Sequence, residues 1–183
     1  SRGLGDVYKR QDQATNFIQR HYKNFTSMSW VYSCGAGANY GTALESALKM
    51  GETIHIPSCC YEIEEYIHGP NLQLTPQYNV IFFDGNDSAS RRVEQVYKAT
   101  RKVTNRAYLI SNNPQLSSDD HVLSLSDTVS SELCPLVYLP FVQLLSFIVS
   151  NDLHSIYQHP LLKEFKAIAA AKTENFVNYD GDD

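Results

Sequence analysis

Positive charge is scarce in this chain. Fifteen Lys and Arg face 20 Asp and Glu, which gives a formal net charge of −5 and a sequence pI of about 5.6. No surplus of basic residues is available to meet a phosphate backbone, so a general nucleic-acid binder is excluded. Small anionic ligands stay open, because they need only a few local donors. Cysteine is sparse as well: Cys34, Cys59, Cys60 and Cys134 form no C-x-x-C spacing, which removes the common zinc and dithiol frameworks. The adjacent Cys59 and Cys60 read as reduced thiols, as expected of a cytoplasmic protein. No two of the six histidines make a metal-ligand pair with an acid at helical spacing, so no metal or other cofactor is expected. The longest apolar run, Leu133–Ser150, is broken by Pro135, Pro140 and Gln143. It reads as a buried helix rather than a membrane span. There is no internal repeat, low-complexity linker or secretory pattern at the start.

What is present fits one α/β domain. Apolar residues make up 43% of 183 residues, enough for a real core. Ser1–Gln11 has no periodic apolar face and is expected to be a foreign or disordered leader, with a single domain over 12–177 and an acidic tail over 178–183. Ala14, Phe17, Ile18 and Tyr22 recur at helical spacing and predict a helix over Asp12–Tyr22. Ser27–Cys34 predicts a first strand, Thr42–Met50 a helix, Thr53–Ile56 a short extended piece and Tyr61–His68 a helix stopped by Gly69-Pro70. The unbroken apolar run Asn79–Phe83 predicts a strand buried on both faces. A helix over Ser88–Thr104 follows, with Val93, Val96, Tyr97 and Val103 inward. Strands are predicted over Ala107–Ser111 and His121–Leu125, and helices over Pro135–Asn151 and Leu161–Lys172. Strands alternating with helices predict a mostly parallel sheet covered on both faces. Ligands of such sheets bind beyond the carboxyl ends of the strands.

The informative stretch is Gly35–Pro70. Gly35, Gly37 and Gly41 give G-x-G-x-x-x-G, one residue longer than the dinucleotide fingerprint. A glycine turn entering a helix presents backbone N–H groups to an anion, although a tight turn without ligand explains it as well. Glu45, Lys49 and Glu52 fall at i, i+4 and i+7 on one helix face, the usual pattern of a solvated ion-paired surface. His68 closes a short helix, where the imidazolium is favoured and proton transfer near neutral pH is feasible; a capping role accounts for it equally. Cys59-Cys60 as a nucleophile needs a histidine base that the sequence does not supply.

In their joint order, GAGANYGTALESALKMGET at 35–53 and EEYIHGP at 64–70 resemble the sugar isomerase (SIS) family of phosphosugar-binding domains. PLVYLPFVQLLSF at 135–147 adds to the resemblance, which covers about Asn16 to Glu174. The match is to the second SIS domain of two-domain proteins: the isomerase half of glucosamine-6-phosphate synthase and the fructosamine-6-phosphate deglycases, with the YEIEEYIHGP form leaning to the latter. The resemblance implies a three-layer αβα sandwich around a five-stranded, flavodoxin-like parallel sheet. It implies that Glu52 moves a proton between C1 and C2 of an amino-ketose 6-phosphate, and that His68, sixteen residues on, handles ring opening or the sugar oxygens. In a deglycase the imine is then hydrolysed to glucose 6-phosphate and an amine. Lys172 stands where the synthase carries its Schiff-base lysine, in altered surroundings. Gly35, Gly37, Asn39, Tyr40, Glu45 and Lys49 are implied as substrate-binding. The expected partner besides the sugar phosphate is a second copy of the chain, in a homodimer or larger homo-oligomer, with Glu52 and His68 drawn from different subunits. No nucleic acid or membrane is expected. The phosphate-gripping loop of the family lies in the first SIS domain, so this chain alone is expected to turn over little. A synthase-type aldose–ketose isomerase domain and a non-catalytic sugar-phosphate sensor are the alternatives.

Overall fold

The computed structural model describes residues 2–125 and 129–155, together with Glu164 and Ile168. Its centre is a five-stranded, all-parallel sheet: β1 (Val31–Gly35), β2 (Ser58–Glu62), β3 (Asn79–Asp84), β4 (Ala107–Ser111) and β5 (Val122–Ser124), in the order β2-β1-β3-β4-β5. Every residue of β1, β3 and β4 is buried. That burial explains why NVIFF shows no alternation: the strand has no solvent face. Alternate side chains instead feed two separate cores. Val31, Ile81, Phe83, Tyr108 and Ile110 pack on one face, and Tyr32, Val80, Phe82 and Leu109 on the other.

Helices α1 (Arg2–Arg20), α3 (Asn39–Lys49) and α6 (Cys134–Asp152) cover the first face through Phe17, Ile18, Ala43, Tyr138, Phe141 and Leu145; α2 (Tyr22–Thr26) adds Phe25. Helices α4 (Ile63–Ile67) and α5 (Ser90–Thr100) cover the second through Ile63, Tyr66, Val93, Val96 and Tyr97. This is the three-layer αβα arrangement that the resemblance implies. The apolar stretch Ser131–Asp152 has the length and composition to cross a membrane; here half of it is buried, with Phe141, Val142 and Leu145 in the first core.

Several local expectations change. α1 begins at Arg2, ten residues before Asp12, so the stretch expected to be foreign or disordered is helical here. Thr53–Ile56 is not extended: Met50–Ile54 forms a π turn, and His55 takes the left-handed conformation, φ 63°. The strand at this edge is β2, and it takes Tyr61 and Glu62 from the expected helix. α4 therefore starts at Ile63, behind a capping box in which Glu62 accepts from the Glu64 N–H at 2.6 Å and Glu65 accepts from the Glu62 N–H at 3.4 Å. Val103 is 46% exposed, because α5 ends at Thr100, and Leu44 and Leu48 are also exposed. The expected helix Leu161–Lys172 lies outside the described residues except for Glu164 and Ile168.

Candidate active site

The order β2-β1-β3 reverses the direction of winding between β1 and β3, and α3 and α5 leave these strands on opposite faces. The crevice at their carboxyl ends is the switch point of the sheet. The turn Gly35–Asn39 stands there, opposite Asp84–Asp87. Gly35 is obligatory on steric grounds, since a Cβ would lie 2.3 Å from the Asn39 carbonyl oxygen. Gly37 is exposed at φ 54°. Asp84 is fully buried and braces the crevice: its carboxylate accepts from the Ser90 and Ser111 hydroxyls and the Asn86 N–H, and its carbonyl accepts from Tyr138 Oη at 2.6 Å.

This turn differs from an open anion cradle. The Asp87 carboxylate stands 3.6 Å from where a Gly37 Cβ would be, so a negative group already faces the turn. Asn39 is 1% exposed and accepts from Thr42 Oγ1 at 3.1 Å, while its amide nitrogen is buried without a partner. Tyr40 is half-buried.

The charged residues lie further along α3 and just past it: Glu45 is about 9 Å and Lys49 about 15 Å from Asn39 along the helix axis. Lys49 Nζ is 2.8 Å from Glu52 Oε2 and 3.6 Å from Glu45 Oε1. The hydrogen bond to Glu52 raises the lysine pKa, against a smaller opposing effect of burial. Glu45, Lys49 and Glu52 therefore form one cluster, with Lys49 as its hub. Gly35, Gly37, Asn39 and Tyr40 form a second group that does not meet it.

His68 caps α4. Its Nδ1 donates to the Glu64 carbonyl at 2.6 Å, which fixes the tautomer and leaves Nε2 for proton exchange. Arg92 ties the same helix to α5 through a forked pair to Glu64, at 2.7 and 3.1 Å, and its guanidinium lowers the Glu64 carboxyl pKa. Because α3 and α4 pack on opposite faces, no described hydrogen bond, ion pair or ring contact joins Glu52 to His68.

Cys34, Cys60 and Cys134 offer little nucleophilic character. Burial pushes Cys60 up to about 11 and Cys34 well above its ordinary value. Asp119, Asp120 and His121 bring ligand atoms within 4.8 Å of one another. Both ring nitrogens of His121 are already engaged, by Asp120 Oδ1 at 2.8 Å and the Asn105 carbonyl at 3.0 Å. Lys172 lies outside the described residues.

The model of the SIS domain matches residues 25–128. The chain belongs to the SIS domain family. It is 30% identical over 164 residues to the glutamine–fructose-6-phosphate aminotransferase (isomerizing) of Methanothermobacter thermautotrophicus, an alignment covering 82% of this chain and 28% of that protein. It thus spans about a quarter of that relative's length. Among solved structures, a candidate phosphosugar isomerase from Clostridium difficile 630 superposes with a TM-score of 0.78 at 19% identity, over 90% of this chain and 46% of that one. The C-terminal domain of the glucosamine-fructose-6-phosphate aminotransferase from Francisella tularensis gives a TM-score of 0.66 at 21% identity, over 81% and 41%. At those identities the two structures support the SIS fold.

Three features of the site escaped the sequence: the π turn, the edge strand SCCYE, and the Asp84–Asp87 side of the crevice. Pro57 and the aromatic Tyr61 were the available signal for the strand. Nothing local marks a π turn, because Met50–Ile54 has the composition of any helix end.

Proposed function

We propose that this SIS domain transfers a proton between C1 and C2 of a phosphorylated amino sugar. One observation carries the reading: Glu52 is held by Lys49 on an irregular turn, in an SIS chain that places a single-tautomer histidine sixteen residues further on. A carboxylate beside an open-chain amino-ketose 6-phosphate takes the C1 proton and returns it at C2, converting the ketoamine into an aldimine. His68 Nε2 serves the sugar oxygens during ring opening. In the deglycase form, water then adds to the imine and releases glucose 6-phosphate and the free amine. The protein acts in the cytoplasm as a homodimer or larger homo-oligomer, without metal, nucleic acid or membrane.

A synthase-type isomerase is the second reading, favoured by the sequence relatives, which are glutamine–fructose-6-phosphate aminotransferases (isomerizing). The test is to incubate the intact gene product with fructosamine 6-phosphates and, separately, with fructose 6-phosphate and ammonia, and to follow the products. Glucose 6-phosphate with free amine from the first supports the deglycase; glucosamine 6-phosphate from the second, whose nitrogen enters as an imine on C2 with loss of water, supports the synthase-type isomerase. Glu52→Gln is expected to abolish either one. Sugar-phosphate binding without turnover identifies a sensor module and overturns the enzymatic reading.

A further inference from the structure

Glu52 sits in the least regular backbone of its neighbourhood, and hydroxyl groups tie that backbone in place. The π turn Met50–Ile54 takes its ladder out of step with α3, since a π turn pairs each carbonyl with an N–H five residues on rather than four. Carbonyls around such a step call for supplementary donors. Three are present. Thr53 Oγ1 donates to the Lys49 carbonyl at 2.8 Å. Ser58 Oγ, on the first residue of edge strand β2, donates to the Ala47 carbonyl at 2.6 Å. Ser155 Oγ, just beyond α6, donates to the Thr53 carbonyl at 2.6 Å. The close approach of Ser58 also uses Gly51, where a Cβ would stand 3.1 Å from the serine oxygen.

These ties differ in reach. Thr53 bonds within its own turn. Ser155 fastens the π turn itself to the end of α6, 102 residues away in sequence, and Ser58 fastens the last turn of α3, just ahead of it, to β2. Together they set where the backbone of Glu52 lies relative to α3. Lys49 then holds the carboxylate end at 2.8 Å, but through a flexible four-carbon stem that does not by itself fix the backbone. A carboxylate that must reach two adjacent carbons needs placement to about 0.5 Å.

We propose that Ser58 and Ser155 are positioning residues for Glu52: their hydroxyls hold the π turn in the one geometry from which its carboxylate meets both Lys49 and the reacting carbons. This rests on the reading of Glu52 as the proton-transfer group. The serines touch no substrate and act only through the Ala47 and Thr53 carbonyls.

The test uses the intact gene product with fructosamine 6-phosphate in deuterium oxide, following proton exchange at C1 and turnover. Ser58→Ala and Ser155→Ala are each expected to lower kcat about tenfold with KM within twofold, and to speed amide hydrogen exchange over Gly51–His55. Ser155→Thr retains a hydroxyl and is expected to restore kcat. Should Ser58→Ala lose its folded circular dichroism, Ser155→Ala decides alone. Glu52→Gln without activity, beside serine variants that keep kcat within twofold, overturns the positioning role and leaves the function standing. A kcat loss that Ser155→Thr does not recover overturns it likewise. Glu52→Gln with unchanged turnover overturns the proton-transfer reading, and the positioning role with it.

Discussion

Glu52 and His68 lie on opposite sides of one sheet. Glu52 follows α3 in a π turn whose Met50 and Ile54 pack into the core shared with α1 and α6. His68 caps α4, whose Ile63 and Tyr66 belong to the core on the other face. Strand β2 forms the sheet edge between the two elements. No described hydrogen bond, ion pair or ring contact joins the two side chains across that edge.

The Glu45–Lys49–Glu52 cluster is poorly suited to stability and well suited to placement. Lys49 and Glu52 side chains remain 32% and 50% exposed, and ion pairs this wet contribute about 0.5 kcal/mol at most. Lys49→Met is expected to move the urea-unfolding free energy by less than about 1 kcal/mol while lowering kcat about tenfold, as Glu52 loses its tether. A stability loss that accounts for the whole activity loss contradicts this division.

Two glycines, one at the end of β1 and one in the first turn of α3, predict opposite signs. At Gly35 an added Cβ meets the Asn39 backbone at 2.3 Å, and backbone cannot swing aside as a flexible side chain can. Gly35→Ala is expected to cost about 2 kcal/mol, the scale of forced overpacking. At Gly41, inside α3 and exposed, nothing lies within 4 Å of an added Cβ. Gly41→Ala is expected to gain about 0.5–1 kcal/mol by restricting the unfolded chain. Urea titration of both variants checks the contrast.

The elements the sequence announced best are those whose environment is uniform. NVIFF and AYLIS are buried on both faces, so an unbroken apolar run was a sufficient sign of a parallel core strand. β2 is an edge strand with half-buried and exposed residues, and its SCCYE pattern merges into the helix that follows. Leu44 and Leu48 misled for a related reason: α3 buries the small residues Ala43 and Ala47 against the sheet and leaves the larger leucines outside. The spacing of Glu45, Lys49 and Glu52 gave their shared face correctly: helical period sets the first two, and the π turn still brings Glu52 within 2.8 Å of Lys49. Their separation from the glycine turn depends on helix length and direction, and the same thirty-six residues of sequence look contiguous on paper. The staples on the π turn were out of reach, because Ser155 and Thr53 meet only in three dimensions.

His21 gives the fold a pH dependence of definite sign. Its ring is 7% exposed, edge-on to Phe17 and Tyr108 at 4.9 and 5.0 Å, with Nε2 donating to the Asp120 carbonyl at 2.8 Å. Burial lowers its pKa, the Asp120 carbonyl opposes, and the neighbouring His121 lowers it further. A base whose pKa is lower folded than unfolded binds more protons in the unfolded chain between the two values. Stability therefore rises with pH across the window that ends near about 6.5, and the penalty is complete below it. Asp120 acts in a separate window: its carboxyl is lowered chiefly by the His121 hydrogen bond, so its contribution is lost only as pH falls below about 4. The urea midpoint is expected to climb as pH rises toward about 6.5 and to level off above it, and His21→Phe is expected to flatten that climb. An unchanged slope in the variant assigns the dependence elsewhere.

The opposite placement of Glu52 and His68 gives the most direct measurement of how the site is completed. If one copy supplies the carboxylate and a second the imidazole, a dimer has two such sites, each crossing the interface. Glu52→Gln inactivates both sites of its homodimer, and His68→Ala does the same. In a mixed dimer, the His68→Ala copy still carries Glu52 and the Glu52→Gln copy still carries His68. One site therefore regains both groups and the other loses both. Random pairing of equal amounts puts half of the molecules in mixed dimers with half of their sites intact, so about a quarter of the wild-type activity is expected to return. Differently tagged variants, co-expressed and purified over both tags, isolate the mixed dimer and raise the expected value to about half. Equal inactivity of the mixed dimer and its parents shows that the two residues do not meet across copies.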